Sequence, residues 1–360
     1  MTKRNCGTHN LHEDYVKRQN GYVNSRRRME AYAAIEERTS IAGVKKIPVV
    51  FHVVYKNSKL NLSNDVIQDQ INILNENFRA KNSDLSHVPS AFRKLIADTE
   101  IEFGFARRDP FGRPTNGVTR KRTSVDVFPQ KAPQRGQSAS AQIAKEVMSK
   151  DKGTEGWPRD HYMNVWICDM GLSPLGFATY PGVAEWDDCI VVDVRAFGRH
   201  READGQYNLG RTLVHEAGHW LNLIHLWGDE NLGCKSTDNV NDTPVQFKHN
   251  EGTPSYPSIS CNNGPHGDLF MNFMDIVDDS AMVMFTEGQK KRMRVALKGP
   301  RRSLLRGWAF KDPITKVSGK RFSEINTLSD TMTLTTLLKA KGMPSSPMIF
   351  DGVSWVNSVE

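Results

Sequence analysis

The residues with the clearest chemical meaning form the pattern His215-Glu216-x-x-His219. On a helix of about 3.6 residues per turn, His215 and His219 lie on one face, so both imidazoles can contact one metal ion. Glu216 then lies beside the open coordination position. A third histidine, His225, follows six residues later, and the chain must turn after Leu221 if His225 is to reach that ion. Three protein ligands plus water are typical of a catalytic zinc, so the pattern predicts a zinc metallopeptidase.

Composition limits the other classes of function. The 360 residues are 38% hydrophobic and 25% charged, as in globular proteins, and could bury one large or two ordinary cores. No apolar run approaches the roughly 20 residues that a membrane helix needs. The first six residues lack the apolar core of a signal peptide, so we expect that a leader was removed or that export uses another route. The net charge of +7 fits either an acidic partner or solvated surface, and no nucleic-acid motif supports the former.

The segments around the motif predict an α/β (α+β) fold in which a mixed, twisted sheet backs the active-site helix. The motif helix is expected to start near Leu209. The loop-dominated stretch 228–266 needs a ligand or a cross-link to order it. Thr286 to Gln289 form a capping box, which predicts a helix to about Lys298. The other predicted elements are strands at 47–55, 100–106, 163–169 and 189–194 and helices at 63–78 and 140–148.

Three regions are expected along the chain. Residues 1–46 are polar, with a helical stretch at 25–37, and are predicted to be a separate, weakly packed segment. Residues 47–311 would form the catalytic domain, with an upper part (47–225) and a loop-rich lower part (226–311). Residues 312–360 show no strong periodicity and are a tail of unknown role.

Several motifs accompany the three histidines and together resemble one peptidase family. Gly233-Cys234, the run from Asp238 to Pro244, and Asn272-Phe273-Met274-Asp275 follow the histidines in order. Over roughly residues 45–300 the sequence resembles the metzincin clan, and within it the pappalysins, including cytophagalysin-like secreted proteases.

This resemblance implies a metzincin-like zincin domain and a secreted, zinc-dependent endopeptidase made as a latent precursor. His215, His219 and His225 would hold zinc, and Glu216 would be the general base that activates water. Met274 would lie in the Met-turn, as a hydrophobic base beneath the metal rather than a ligand.

Two positions depart from the family pattern. The residue at 222 is usually glycine, because the chain leaves the helix there with a positive φ, and asparagine is the next most tolerant residue. We therefore expect Asn222 to keep the turn. The residue two after Met274 is often a tyrosine that stabilises the tetrahedral intermediate, but here it is Ile276. Losing one such donor typically costs about a hundredfold or more in rate.

The resemblance also implies a disulfide and a calcium site in the loop after His225. Five cysteines leave at least one unpaired, and the family pattern pairs Cys234 with Cys261; two free thiols are the alternative. Asp238, Asp242 and Thr243 bring oxygen ligands together as calcium requires, and an acidic solvated turn is the alternative.

The remaining expectations concern latency and substrate binding. Cys6-Gly7-Thr8 resembles a latency segment in which the Cys6 thiolate would occupy the water position, unless this cysteine is incidental. Cleavage between the arginines near 26 and Lys46 would release it. The edge strand that pairs with extended substrate would contain Gly176, Phe177 and Ala178. Asp278 and Asp279 would either select Arg or Lys after the scissile bond or be nonspecific surface acids.

Three functions follow in order of preference. The first is a latent zinc endopeptidase acting on proteins or peptides, and the second is a zinc-binding, protease-like binding module with weak or no turnover. The third is a zinc hydrolase for a non-peptide substrate. Intact Glu216 argues against the second, and the edge strand beside the motif argues against the third.

Overall fold

A computed structural model describes residues 4–36, 42–200, 203, 205–230 and 232–313, and four short strand segments between 316 and 357. The tail predicted at 312–360 therefore lies almost entirely outside the described residues. Those segments form two antiparallel pairs, Lys316–Val317 with Lys320–Arg321 and Met348–Phe350 with Trp355–Asn357. Among the described helices, none is long and apolar enough to cross a membrane.

A six-stranded mixed sheet organises the domain. Its strands are β1 (Lys45–Tyr55), β2 (Ile101–Phe105), β3 (Val118–Arg122), β4 (Met163–Cys168), β5 (Gly176–Ala178) and β6 (Ile190–Asp193). The strand order is β2-β1-β4-β6-β5, and the long β1 also pairs with β3 through its second half. All pairings in this sheet are parallel except that of the edge strand β5, which runs antiparallel to β6.

Both faces of the sheet are covered by helices. The helices are α1 (Thr8–Arg18), α2 (Asn20–Glu36), α3 (Asn64–Phe78), α4 (Ala139–Val147), α5 (Arg211–Trp220) and α6 (Glu287–Lys298). Side chains alternate between faces with a period of two. Val165 and Ile167 of β4 belong to the large core shared with α3 and α5, whereas Trp166 and Cys168 join a second core with α4 and with Leu11 of α1.

The strands and helices predicted from the sequence are confirmed, and β3 is an additional strand. Val118–Arg122 contains four charged or polar residues and lies at an exposed edge, so it lacks the apolar alternation that would have revealed it. The capping box is present: the Thr286 side chain accepts from the Gln289 backbone, and the Gln289 side chain accepts from the Thr286 backbone.

The prediction that residues 1–46 are weakly packed was wrong for the part that the structure describes. Leu11 lies in the second core, and Met29 and Ala33 of α2 pack against Val295 and Ala296 of α6. This segment uses few apolar residues. It gains the rest of its contact from buried charged side chains that find partners on the body, which a hydropathy pattern does not reveal.

Candidate active site

Helix α5 carries the first two histidines and is buried along its whole length. Gly210 precedes it with φ +68°, and a β-carbon there would lie 2.7 Å from Ile73 Cδ1 of α3. Gly218, inside the helix, permits another close approach, since a β-carbon there would lie 2.6 Å from the sulfur of Met274. The absence of a side chain at Gly218 therefore lets Met274, fully buried, pack directly beneath the helix.

The helix ends as the sequence predicts. Its last residue is Trp220, and Asn222 has φ +79°, the left-handed conformation that reverses the chain. The Asn222 carbonyl accepts from Nε of Arg292 on α6 at 2.7 Å. The turn thus brings His225 back to the face that carries His215 and His219.

Each histidine is oriented by a hydrogen bond at Nδ1. His215 donates to the Phe273 carbonyl at 2.6 Å, and His219 donates to the Leu223 carbonyl at 2.8 Å. His225 instead contacts a carboxylate, with Nδ1 2.6 Å from Oδ1 of Asp229. Because carbonyl oxygens only accept, Nδ1 of the first two rings carries the proton and Nε2 presents a lone pair.

The three Nε2 atoms converge on one point. His219 Nε2 lies 3.0 Å from His215 Nε2 and 3.1 Å from His225 Nε2. The sulfur of Cys6 lies 3.5 Å from His219 Nε2, and the four ligand atoms all lie within 4.8 Å of one another. Three imidazoles and one sulfur form a donor set suited to tetrahedral zinc, and the second hydrogen bond of each imidazole is already made.

Burial supports this assignment. Burial, neighbouring histidines and other positive charges lower the pKa of His215 well below its ordinary value, so its ring is neutral and can bind a cation. Burial and then the charge of Glu216 raise the pKa of the Cys6 thiol well above its ordinary value. A thiolate at this position therefore needs a neighbouring cation.

Glu216 points toward the same space and contacts the N-terminal segment. Its Oε2 accepts from Thr8 Oγ1 at 3.0 Å and lies 3.8 Å from Cys6 Sγ. Burial raises the pKa of Glu216 to about 7, although the hydrogen bonds from Thr8 and Cys6 oppose the rise. A β-carbon at Gly176 would lie 2.9 Å from Glu216 Cγ, so the glycine lets the edge strand approach this carboxylate.

The N-terminal segment lies along the edge strand β5 as an added strand. The Gly7 nitrogen donates to the Gly176 carbonyl and the Leu175 nitrogen donates to the Asn5 carbonyl, both at 2.9 Å. The bridge between Cys6 and Gly176 is parallel. Thr8 Oγ1 also accepts from the Ala178 nitrogen at 2.9 Å. The edge strand predicted from Gly176, Phe177 and Ala178 is therefore occupied by this segment.

Gly7 permits that close approach. A β-carbon at Gly7 would lie 3.2 Å from Cβ of Phe177 and 2.1 Å from Oγ of Ser140. The Phe177 side chain points to the second core, away from the histidines. Of the three predicted substrate-binding residues, Gly176 and Ala178 therefore offer backbone groups and Phe177 packs the sheet.

Arg4 and Asp279 form a buried ion pair next to the site. The Arg4 guanidinium also lies over the ring of Tyr207, 5.2 Å from its centroid. Asp279 accepts from the Leu209 nitrogen at 2.8 Å, and so also caps the start of α5. The neighbouring Asp278 faces the loop that contains Thr253, with 3.5 Å between the hydroxyl and Oδ2. The structure thus separates the two acids that the sequence grouped.

Helix α2 contacts the other end of the motif. Arg26 donates to Oδ1 of Asn222 at 2.5 Å, and Glu30 pairs with Arg292 at 2.8 Å. Arg26 and Glu30 of α2 therefore bind at the turn that directs His225.

The lower part is ordered by a disulfide and by carboxylates. Cys234 and Cys261 are bonded, as predicted, while Cys168 and Cys189 are buried and free. Asp275, fully buried behind Met274, accepts from Asn250 and from Gln246. Many of these loop residues are held through side chains rather than through regular backbone pairing. Ile276 is half-buried and offers no hydroxyl to the site.

The three predicted calcium ligands have hydrogen-bond partners. Thr243 Oγ1 donates to the Asp238 carboxylate and lies 3.0 and 2.9 Å from its two oxygens. Asp242 accepts from the Thr286 hydroxyl at 2.7 Å and from the Gly288 nitrogen at 2.8 Å, and so caps α6. The calcium site stays a prediction.

Sequence reasoning missed the residues that support the site from outside the motifs. Arg4, Arg26, Tyr180 and Asp229 all contact the site or its immediate neighbours. A signal existed only for Asp229, a carboxylate four residues after His225. The others act across long separations in sequence, for which a single chain gives no signal.

The chain is similar to known metallopeptidases. The model of the family Peptidase_M43, described as pregnancy-associated plasma protein-A, matches residues 146–298. Mature mirolysin of Tannerella forsythia, solved with a cleaved peptide, is 41% identical over 74% of this chain and 98% of its own, with a TM-score of 0.69. A promirolysin variant from the same organism is 37% identical over 86% of this chain and 100% of its own, with a TM-score of 0.77.

A curated relative gives a shorter alignment. An extracellular metalloprotease of Verticillium alfalfae is 33% identical over 141 residues, or 37% of this chain. The aligned part is 49% of the relative, so this chain spans about half of its length.

Proposed function

The chain belongs to the M43 family of metalloendopeptidases, and on this premise we propose that it is a secreted zinc endopeptidase made in a latent form. The observation that carries the proposal is the convergence of three Nε2 atoms and the Cys6 sulfur within 4.8 Å, beside the Glu216 carboxylate. The extracellular assignment rests on the names of relatives such as the Verticillium alfalfae protease.

His215, His219 and His225 would hold the zinc ion. When bound, zinc lowers the pKa of a water molecule and polarises the scissile carbonyl. Glu216 takes the proton of the attacking water and returns it to the departing amine. Burial raises the pKa of Glu216 to about 7 while Cys6 and Thr8 cover it, and loss of Thr8 would open the carboxylate to solvent. Gly176 and Ala178 would bind extended substrate through their backbone groups.

Cys6 would keep the enzyme latent by occupying the position that water needs. Thr8 supports the block because its hydroxyl donates to Glu216 and accepts from the Ala178 nitrogen. One short segment thus engages the metal site, the base and the substrate-binding edge. Release would require cleavage between residue 26 and Lys46, and residues 37–41 in this interval lie outside the described part.

Full-length Cys6→Ala tests this proposal. We expect it to cleave denatured casein without prior processing, to lose this activity with a zinc chelator, and to lose it in the added variant Glu216→Ala. Full-length Cys168→Ala is the matched control, since it removes a buried free thiol elsewhere and should stay latent. A silent Cys6→Ala chain that still binds zinc would favour the alternative, a protease-like binding module, which the missing hydroxyl at Ile276 also favours.

Asp279 would select Arg or Lys after the scissile bond. Support comes from Arg4, whose guanidinium binds this carboxylate and stacks on Tyr207 in a buried setting. A substrate arginine could make the same contacts once Arg4 has left, because a planar guanidinium suits both a carboxylate and an aromatic ring.

In active enzyme, we expect Asp279→Asn to lower kcat/KM for an arginine-containing peptide by about 10–100-fold relative to its leucine analogue. Asp279 also caps α5, so the substitution could lower activity on every substrate by destabilising the enzyme. The ratio of kcat/KM for the arginine peptide to kcat/KM for the leucine peptide cancels such a general loss. Asp278→Asn is the control and should leave the ratio unchanged. A ratio that moves equally in both variants would contradict the assignment.

A further inference from the structure

Tyr180 lies just beyond the edge strand β5 and is connected to the metal site. Its hydroxyl lies 3.1 Å from Oδ2 of Asp229, whose Oδ1 lies 2.6 Å from Nδ1 of His225. The Tyr180 ring also meets the ring of His219 edge-on, with 5.6 Å between centroids. One buried side chain thus reaches two of the three histidines.

The third histidine is held differently from the first two. His215 and His219 donate to backbone carbonyls of Phe273 and Leu223, which the fold fixes. His225 contacts a carboxylate whose own side chain must be held. The His225 ring is also stacked on the Trp227 ring, with 4.3 Å between centroids and an angle of 11° between the planes. Stacking restrains the tilt of the ring, and the hydrogen bond to Asp229 holds the direction of Nδ1.

Asp229 needs two donors to stay in place. The carboxylate is largely buried, and an acceptor oxygen without a donor in such a setting is costly. His225 supplies one donor and Tyr180 supplies the other, one to each oxygen. A phenol is a good choice, because it donates without adding a charge beside a cation site.

We propose that Tyr180 is a positioning residue for zinc binding and catalysis, acting through Asp229 to orient His225. This inference rests on the proposed function and assigns a role to a residue outside the zinc-binding motif and the Met-turn. The turn at Asn222 brings His225 to the site, and Tyr180 helps to orient its ring, since a side chain rather than a backbone carbonyl holds Nδ1 of His225.

The N-terminal segment covers the same residue. The guanidinium of Arg26 lies 4.7 Å from the centroid of the Tyr180 ring, and the ring of His12 meets it edge-on at 5.4 Å. Neither contact involves the hydroxyl, which stays on Asp229. The positioning role therefore holds in the latent chain, and the full-length protein is suitable for the test.

The experiment compares zinc affinity in full-length Tyr180→Phe and in Tyr162→Phe. Tyr162 is a matched control: it is fully buried, and its hydroxyl donates to the Arg108 carbonyl at 2.9 Å, away from the site. Zinc affinity is measured by competition with a chromogenic chelator, and melting temperature is measured on the zinc-free chains. Loss of an outer hydrogen-bond partner of a metal ligand typically costs 10–100-fold in affinity.

We expect about 10–100-fold weaker zinc binding for Tyr180→Phe, wild-type affinity for Tyr162→Phe, and similar zinc-free melting temperatures for both. Asp229→Asn should weaken zinc binding at least as much as Tyr180→Phe. Equal zinc affinity in Tyr180→Phe and Tyr162→Phe overturns the inference. It is also overturned if Tyr180→Phe binds zinc more weakly but its zinc-free melting temperature falls well below that of Tyr162→Phe, because general destabilisation then explains the loss. A wild-type chain that binds no zinc would instead overturn the proposed function.

Discussion

The site has two halves that are built in different ways. His215, Glu216 and His219 lie on α5, a fully buried helix packed on α3 and the sheet. His225, Met274 and Asp279 lie on irregular backbone. Asp229 contacts His225, Asn272 accepts from the Met274 nitrogen, and the Cys234–Cys261 disulfide closes the loop that follows His225. The helix half is held by its secondary structure, whereas the loop half is held by side chains.

The N-terminal segment contacts both halves of the site. The N-terminal segment contacts the helix half through Cys6 and Thr8, which meet His219 and Glu216, the residues proposed to bind zinc and to act as the base. It contacts the loop half through Arg4 at Asp279 and Arg26 at Asn222. We infer that its contacts block the first half and stabilise the second, so its removal should free the chemistry and loosen the loops.

The largest expected effect is on the helix half. In active enzyme, Glu216→Gln removes the proposed base while keeping the shape of the side chain, and we expect kcat/KM to fall by about 10²–10⁴-fold. Zinc content, measured by metal analysis, should not change, because the amide leaves the three histidines intact. Glu155→Gln, at an exposed glutamate, is the control. Retained turnover in Glu216→Gln would contradict the role of Glu216 as the general base.

The next effect is on the stability of the loop half. Replacing both Cys234 and Cys261 with serine opens a covalent loop with a sequence separation of 27. We expect the free energy of unfolding to fall by roughly 3 kcal/mol in urea titrations. Reducing agent should lower wild-type stability by a similar amount and leave the double variant unchanged. If the wild type and the double variant unfold together, the loop half does not depend on the cross-link.

The smallest effect concerns pH and calcium at Asp238. Burial raises the pKa of this carboxyl to about 7, although hydrogen bonds such as that from Thr243 oppose the rise. Its unfolded pKa is about 4, so between about pH 4 and 7 the folded chain binds a proton that the unfolded chain has lost. This group's contribution to stability is therefore present below pH 4 and is lost as pH rises toward 7.

Because of Asp238, the free energy of unfolding of the wild type should fall by on the order of 2 kcal/mol between pH 5 and pH 8. We expect Asp238→Asn to abolish this part of the pH dependence. If the predicted calcium site exists, calcium should stabilise the wild type at pH 8 but not Asp238→Asn, because the cation favours the charged carboxylate. Urea titrations with and without calcium chloride measure both effects. Parallel pH curves for the two proteins would contradict the pKa shift at Asp238.

The two halves also differ in how far the sequence predicts them. Spacing alone indicates that His215 and His219 share a helix face, and the turn at Asn222 follows from the tolerance of asparagine for positive φ. The buried strands β1, β4 and β6 appear as apolar runs. Such local rules apply wherever regular backbone determines the structure.

The remaining parts depend on contacts between residues far apart in the chain. The packing of the N-terminal segment escaped prediction because buried ion pairs such as Arg4–Asp279 bridge positions 275 apart. Asp278 and Asp279 look equivalent in sequence, but the backbone turns one toward Thr253 and the other toward Arg4. Likewise, no local pattern connects Tyr180 to Asp229, 49 positions away.

The most direct test of the central claim is X-ray absorption at the zinc edge of the full-length chain and of its Cys6→Ala variant. The account predicts three nitrogen ligands and one sulfur ligand, at about 2.3 Å, in the full-length chain. In Cys6→Ala the sulfur should be replaced by a light atom while the three nitrogens remain. A wild-type spectrum without sulfur, or one unchanged by the substitution, would contradict the claim that Cys6 blocks a three-histidine zinc site.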